Sequence, residues 1–179
     1  MDRATFWSLL DETPKPKGLR GLFSKPQDPK KRPSLAPENL QAILEPLSTE
    51  EIQAFAKHFN DVLVELNRWD LWGAAYVIHG GMGDDSFHYF RSWLIGKGQA
   101  AVSQAMTDPD GLGPYIDDPE EVDNELLEYV AHEILEGRGL QDPREEFERS
   151  PDDEPTGTPF EEETVADQFP KLAATFNSD

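Results

Sequence analysis

The sequence predicts an all-α protein, a compact single-domain bundle of five to seven helices with a basic surface loop and an acidic C-terminal segment. Apolar residues recur at every third or fourth position in several stretches, which is the spacing of helices that bury one face. Serine, aspartate, glycine and proline stand at the borders of these stretches, where helices begin and end. The 15 prolines and the hydrophobic content of 37% indicate that part of the chain buries little surface.

A short helix is predicted over residues 2–11, with Phe6, Leu9 and Leu10 on one face. Residues 13–36 then have five prolines and seven basic side chains against one acidic side chain, so they predict a mobile basic surface loop. A contact with phosphate groups or an acidic surface is one interpretation of this charge. A solvated loop that balances the acidic C-terminal half is the other, and it is favoured because aromatic residues do not alternate with the basic ones.

The clearest helix signal follows a short helical turn predicted over residues 39–44. Ser48 and Glu51 have the spacing of a capping box, in which each side chain binds the other residue's main-chain N–H. Six large apolar residues then recur at helical spacing: Ile52, Phe55, Phe59, Val62, Leu63 and Leu66. His58 lies among them and is expected at the edge of the core, because it has no partner at metal-ligand spacing.

The stretch from Trp69 to Gly98 predicts two helices joined by a glycine turn, and the rest of the chain is organised around it. Gly80 and Gly81 can adopt the left-handed conformation that ends the first helix. Asp84 stands where its carboxylate can cap the second helix. The apolar residues of that helix are Phe87, Phe90, Trp93 and Leu94.

A further short helix is predicted over residues 99–106, and it ends in the turn 108–111. The spaced carboxylates of this turn resemble the start of a calcium loop. However, Leu112, Pro114 and Ile116 occupy positions where such a loop continues with oxygen donors, so the sequence predicts no calcium site.

One longer helix is predicted from Pro119 to Gly137, with Asp118 as its cap and an apolar stripe that includes Leu126 and Leu127. His132, Glu133 and Glu136 on this helix are close to metal-ligand spacing. A zinc-protease helix needs two histidines four residues apart, and Glu136 takes the second position, so no metal is predicted.

Most of the net charge lies in the C-terminal half of the sequence. Residues 1–107 carry 13 acidic and 12 basic side chains, net -1, so of the totals of 36 and 16, residues 108–179 carry 23 and 4, net -19. The sequence therefore predicts a helical domain over residues 1–137 and a mobile acidic linker over 138–167. The apolar spacing over residues 168–177 predicts a short helix that docks back on the domain.

Three stretches are specific enough for comparison with known families. They are FWSLL near the N-terminus, LWGAAYVIHGGMGDDSFHYFRSWLIGKG in the centre and DPDGL after it. Together they resemble a bacterial family known as domain-of-unknown-function family 4240, over about residues 1–137 apart from the basic loop. The resemblance implies a mostly helical fold and brings no established activity, cofactor or partner. The proline-rich basic loop and the acidic segment depart from the family pattern.

The candidate ligand-binding residues all lie in or beside the glycine turn. They are His79, Gly80, Gly81, Asp84, Asp85, His88 and Arg91. Asp84, His88 and Arg91 share one helix face, which could clamp a carboxylate or phosphate or hold a metal ion. The structural interpretation makes Asp84 a cap, Asp85 a partner of the helix dipole and Arg91 the partner of a carboxylate on a neighbouring helix. No nucleophile with its base and no phosphate-binding glycine loop is recognisable, so no catalytic residue is predicted.

We therefore expect an acidic protein-interaction or regulatory module without catalysis, metal or cofactor. Its expected partner is another protein, with a basic surface as one possibility, and direct binding to nucleic acid is not expected. The sequence has no cysteine and no long apolar run, and we place the protein in the cytoplasm, without a membrane. Two alternatives remain: a small-ligand- or metal-binding enzyme that uses the Asp84 to Arg91 turn, and a nucleic-acid mimic with an acidic surface.

Overall fold

A computed structural model describes residues 1–11 and 28–177, and in these ranges the fold is all-α, without a β-strand. These ranges contain nine α-helices, more than the five to seven predicted, because several helices are only one or two turns long. They are α1 Arg3–Asp11, α2 Pro37–Leu44, α3 Thr49–Glu65, α4 Trp69–His79, α5 Asp84–Lys97, α6 Gln99–Thr107, α7 Val130–Gly137, α8 Val165–Gln168 and α9 Pro170–Phe176. None of the helices described is long and apolar enough to cross a membrane.

Helix α3 has the predicted capping box. The Ser48 hydroxyl accepts a hydrogen bond from the Glu51 N–H at 3.3 Å, and the Glu51 carboxylate accepts one from the Ser48 N–H at 2.8 Å. The apolar face of α3 is buried against α5 and α7, and it includes Phe55 and Leu63, which are 0% and 3% exposed. The predicted capping box and apolar face of α3 are therefore both confirmed.

The glycine turn ends α4 as expected but begins α5 differently. Gly80 has a φ of 75°, and its N–H donates to the carbonyl of Tyr76, which closes α4. The N-cap of α5 is Gly83, whose carbonyl accepts the first helical hydrogen bond, from Phe87. The prediction that Asp84 caps α5 is wrong: the helix begins at Asp84, and its carboxylate makes no cap hydrogen bond.

The single helix predicted from residue 119 to 137 is also wrong. The structure has a 3₁₀ helix from Glu125 to Tyr129, and α7 begins only at Val130. The preceding chain is held open by Asn124, whose N–H donates to the Tyr89 carbonyl and whose side chain donates to the Leu35 carbonyl at 3.0 Å. These hydrogen bonds to distant residues replace the local hydrogen bonds of a helix. The spacing of apolar residues therefore could not reveal that the helix begins only at Val130.

A parallel stack of aromatic rings joins α4 to α5. The rings of Trp69 and Trp72 lie 5.0 Å apart with planes 2° from parallel, and Trp72 stacks on Phe87 at 5.0 Å and 7°. Trp72 also donates its ring N–H to the Met82 carbonyl. The predicted aromatic centre of the chain therefore fixes the angle between the two helices that carry the candidate site.

The two terminal helices pack against α4, and Val165, Phe169 and Leu172 are buried there. The Asp110 carboxylate accepts hydrogen bonds from the main-chain N–H groups of Lys171 and Leu172 at 3.0 Å each. Of the predicted basic loop, residues 13–27 lie outside the described residues. In the remainder, 28–36, the side chains of Arg32 and Leu35 are buried.

Candidate functional site

Arg91 is a buried arginine in the middle of α5, only 3% exposed. Its guanidinium donates to the main-chain carbonyls of Leu63 at 3.1 Å and Pro151 at 2.9 Å, and it lies 4.9 Å from the centre of the Phe87 ring. The expected ion pair with a carboxylate on a neighbouring helix is therefore wrong. Arg91 instead binds main-chain oxygen atoms, one of which belongs to the acidic C-terminal segment.

Burial lowers the pKa of Arg91 but leaves its guanidinium charged at neutral pH. Removal from water lowers the pKa of Arg91 to about 10, and the carboxylates of Asp152 and Glu128 act in the opposite direction. At neutral pH the guanidinium therefore stays charged. Its Nε is buried and has no hydrogen-bond partner in the described part of the chain, so one N–H donor of the guanidinium is unsatisfied there.

His88 lies between two carboxylates that come from distant parts of the chain. Its Nε2 is 2.8 Å from Glu128 Oε2 in the 3₁₀ helix, and its Nδ1 is 3.0 Å from Asp152 Oδ1. Burial by itself lowers the pKa of His88, but the hydrogen bond and charge of Glu128, with the charge of Asp152, more than offset this and raise it. At a given pH the doubly protonated form of His88 is therefore more populated than that of an ordinary histidine.

His88 Nδ1 also lies 3.3 Å from Arg91 Nη2, and one ring nitrogen cannot serve both neighbours. When Nδ1 is protonated, it donates to Asp152. When Nδ1 is unprotonated, it accepts from Arg91 and can no longer bind the Asp152 carboxylate. The presence of a proton on His88 Nδ1 therefore selects its contact with the acidic segment.

The acidic segment itself crosses α3 and α5 and is held through its main chain. Besides the Arg91 bond to Pro151, the Asn60 amide donates to the Arg149 carbonyl at 3.1 Å, and the Asn67 amide donates to the Asp153 carbonyl at 2.5 Å. Three buried side chains thus bind the carbonyls of alternate residues. We call residues 147–156 the strap. We call the surface beneath it, formed by Asn60, Asn67, His88, Arg91 and the apolar residues Phe59, Leu63 and Phe87, the groove.

The downstream end of the strap pairs with the chain between α3 and α4. The N–H of Thr156 donates to the Asn67 carbonyl, and the Thr156 carbonyl accepts from the N–H of Trp69, both at 2.9 Å. The two bonds form one parallel bridge between Arg68 and Thr156. Asn67 therefore binds the strap with both its side chain and its main chain.

A partly open cavity of about 670 Å³ is lined by residues of both the strap and the groove. Of the predicted site residues, Asp84, Asp85, His88 and Arg91 line it together. His79, Gly80 and Gly81 do not: His79 Nδ1 lies 2.8 Å from the Gly81 carbonyl, so these residues form the turn itself. The carboxylates of Asp84 and Asp85 are exposed and form no hydrogen bond or ion pair with any described residue.

Four residues of this contact network were missing from the predicted site: Asn60 and Asn67, which bind the strap, Glu128, which binds His88, and Asp152 in the strap itself. Asn60 and Asn67 are 8% and 5% exposed. Asn60 stands in the apolar stripe of α3, directly after Phe59, and a polar residue within such a stripe is a signal that could have identified it. Glu128 and Asp152 left no comparable signal, because their contact with His88 joins parts of the chain 40 and 64 residues apart.

A second histidine lies at the wall of the cavity, near the start of the strap. His132 Nδ1 is 3.1 Å from Asp142 Oδ1 but forms no hydrogen bond with any described residue. Burial lowers the pKa of His132, with a further contribution from the charge of Arg144. Despite the nearby carboxylates, no group of three or more histidine, cysteine or acidic residues in the described chain could hold a metal ion.

The fold and the site together define an all-α protein whose central groove is occupied by its own C-terminal segment. The chain belongs to the family described as Protein of unknown function (DUF4240), which matches residues 1–136 and confirms the resemblance to family 4240. The comparisons with curated proteins and with solved structures gave no match. The family match includes the groove and Glu128, and it ends before the strap.

Proposed function

We propose that this protein is a protein-interaction module without catalysis, and that the groove is its binding surface. The observation that supports the proposal is the set of three bonds from Asn60, Arg91 and Asn67 to the main chain of the strap. Every peptide has main-chain carbonyls, so donors spaced along a groove can bind an extended chain, while pockets for side chains select among sequences.

The energetics of these donors also favour an occupied groove. Each of the three side chains is buried, and each directs a donor at a carbonyl of the strap. A buried donor that loses its acceptor costs about 1–3 kcal/mol unless water replaces the acceptor. A peptide that supplies carbonyls at the same positions would avoid this cost, so the groove is suited to exchange one peptide for another.

The acidic surface belongs to the same proposal. The side chains of Asp153 and Glu154 on the strap are exposed, and residues 108–179 carry a net charge of -19 from 23 acidic and 4 basic side chains. A partner with a basic surface would be attracted to this half of the molecule. We place this interaction in the cytoplasm, and we assign the strap a regulatory role because it controls access to the groove.

A small-ligand- or metal-binding enzyme is the second candidate. The cavity of about 670 Å³ and the left-over N–H at Arg91 Nε favour a small acidic ligand in this space. Its catalytic machinery would have to come from the Asp84 to Arg91 turn, and there His88 is already engaged by Glu128 and Asp152. A screen of small carboxylates and phosphates by thermal shift tests this candidate. A rise in melting temperature that is lost in Arg91→Lys would support it.

The interaction proposal is tested with a peptide library and two variants of the full-length chain. The loosened chain carries Phe147→Ser and Asp152→Ser, which weaken the strap and leave the groove residues unaltered. The blocked chain carries Asn60→Leu and Asn67→Leu in addition, and these changes remove two of the groove's donors. Circular dichroism of both variants checks that they fold.

We expect the library to yield peptides that bind the loosened chain and fail to bind the blocked chain. Because leucine is close to asparagine in size, loss of binding would report the missing donors and not a changed shape. A library that gives no binder, or only binders that ignore the two asparagine substitutions, would contradict the proposal.

A further inference from the structure

We infer that the strap stands in for a partner of defined chemistry: an extended peptide with an aromatic residue, a proline four positions later with a carboxylate directly after it, and a second proline four positions beyond the first. This inference rests on the proposed function and names its partner class. In the strap these positions are Phe147, Pro151, Asp152 and Pro155. The partner peptide would displace the strap from the groove.

The apolar anchors of the strap indicate which side chains the groove selects. Phe147 packs against the hydrophobic core, and Pro151 and Pro155 are partly buried beside the same cavity. Proline fixes one of its two main-chain torsions and has no N–H to leave unpaired. A peptide with prolines at these two positions therefore loses less conformational freedom when it binds.

The carboxylate after the first proline is the charged anchor. Asp152 is the acidic side chain of the strap that contacts the groove, through His88 at 3.0 Å. Asp153 binds within the strap instead, where its carboxylate accepts from the N–H of Ser150. An acidic residue directly after the first proline is thus the charge that the groove recognises, whereas further acidic residues would meet the like charge of the acidic half of the molecule.

The strap can leave the groove without disturbing the helices on either side. Upstream, Leu140 and Gln141 are exposed, and downstream residues 157–159 are exposed. Beyond them, α8 and α9 have their own anchors on α4, including the buried Val165, Phe169 and Leu172. The strap is therefore a tether between two parts of the fold that are fixed independently.

The fit of the strap is also incomplete. A partly open pocket of about 670 Å³ is lined by residues of both the strap and the groove, so the strap leaves part of the groove uncovered. The buried Nε of Arg91 lies at this cavity without a partner among the described residues. A partner peptide with larger or additional acceptor side chains can fill this space, and this gives it an advantage over the strap.

Tethering offsets that advantage and sets the threshold for exchange. A short tether gives the strap an effective concentration of about millimolar at the groove, so a free peptide must bind more tightly to displace it. Weakening the strap lowers this threshold, and this makes exchange measurable in the loosened chain.

The test measures binding of a fluorescent peptide with the sequence of residues 147–156, by anisotropy. The control peptide has serine in place of its phenylalanine and of the aspartate after its first proline. We expect the native peptide to bind the loosened chain at least about tenfold more tightly than the unaltered chain, because its competitor is weakened. The control peptide, and the native peptide with the blocked chain, should each bind about tenfold more weakly.

Two further measurements keep the inference falsifiable. Hydrogen exchange at the Thr156 N–H of the unaltered chain should occur by local opening, at a lower free energy than global unfolding. Exchange only through global unfolding would mean a permanent strap and would overturn the inference. A stable dimer of the loosened chain in light scattering would mean that a second copy supplies the strap, which also overturns it.

The failure of this inference can be distinguished from failure of the proposed function. If library peptides bind the groove in an asparagine-dependent way but the peptide of residues 147–156 does not, the interaction module stands and the partner class named here is wrong. If neither binds, both fail.

Discussion

The N–H of Thr156 donates to the carbonyl of Asn67 at 2.9 Å, and so the strap binds the chain just past the end of α3. Asn67 lies one residue beyond Leu66, the C-cap of α3, so part of the C-terminal region fixes the turn that leads from α3 to α4.

Asn67→Leu should lower the free energy of unfolding by about 1 kcal/mol, because the side-chain bond to Asp153 is lost and the main-chain bond is kept. Urea unfolding measures the change. Gln53→Leu, at an exposed position of α3, is the matched control and should change the stability little. Equal effects of the two substitutions would show that the strap adds no stability through the side chain of Asn67.

Arg91→Ala should lower the free energy of unfolding by about 1–3 kcal/mol, because the carbonyls of Leu63 and Pro151 lose their donor. Asp85→Ala should have little effect, since Asp85 is exposed and does not pair with Arg91. Thermal and urea unfolding of both variants and of the double mutant would then give additive changes. Strong coupling between the two would contradict the structure at this site.

His88→Gln should cost more stability at about pH 5.5 than at about pH 8.5. The pKa of His88 is raised in the folded state, so its contribution is fully present below its ordinary value of 6.5 and is lost as the pH rises through the raised value. His132 has a lowered pKa and acts in the opposite sense, losing stability as the pH falls below 6.5. The difference between wild type and variant at each pH isolates the His88 contribution. A constant difference would contradict a raised pKa of His88 in the folded state, and with it the contacts of His88 with Glu128 and Asp152.

Leu127→Ala should destabilise the protein by about 2–5 kcal/mol, while Leu126→Ala should change the stability by less than about 0.5 kcal/mol. Leu127 is 1% exposed and its neighbour Leu126 is 62% exposed. The 3₁₀ helix accounts for the contrast, because it turns Leu126 away from the apolar stripe that the sequence predicts. Similar losses for the two variants, measured by urea unfolding, would favour a continuous helix here.

Local signals in the sequence were sufficient for the helices that surround the site. The capping box of α3 and the glycine at the end of α4 depend on residues within a few positions of each other, so their chemistry can be recognised from spacing alone. The position of Gly83 as the N-cap of α5 was missed, because glycine offers no side chain to recognise and Asp84 is the more usual cap.

The groove could be predicted only in part. Asp84, Asp85, His88 and Arg91 were expected together and do line one cavity. Their occupant could not be inferred, because composition rich in acidic residues and proline usually indicates a chain with too few apolar residues to fold by itself. The strap is held in place by hydrogen bonds from the side chains of Asn60, Asn67 and Arg91. No local sequence pattern predicts a hydrogen bond between residues so far apart in the chain.

The ring stack of Trp69, Trp72 and Phe87 gives the groove a built-in optical reporter. Trp72 lines the cavity and stacks on both Trp69 and Phe87. The Phe87 ring also contacts the Arg91 guanidinium. Indole emission depends on the polarity and the charges around the ring, so departure of the strap should change the fluorescence of this tryptophan. A change in the total tryptophan emission, to which Trp72 contributes, thus follows the occupancy of the groove in an unlabelled protein.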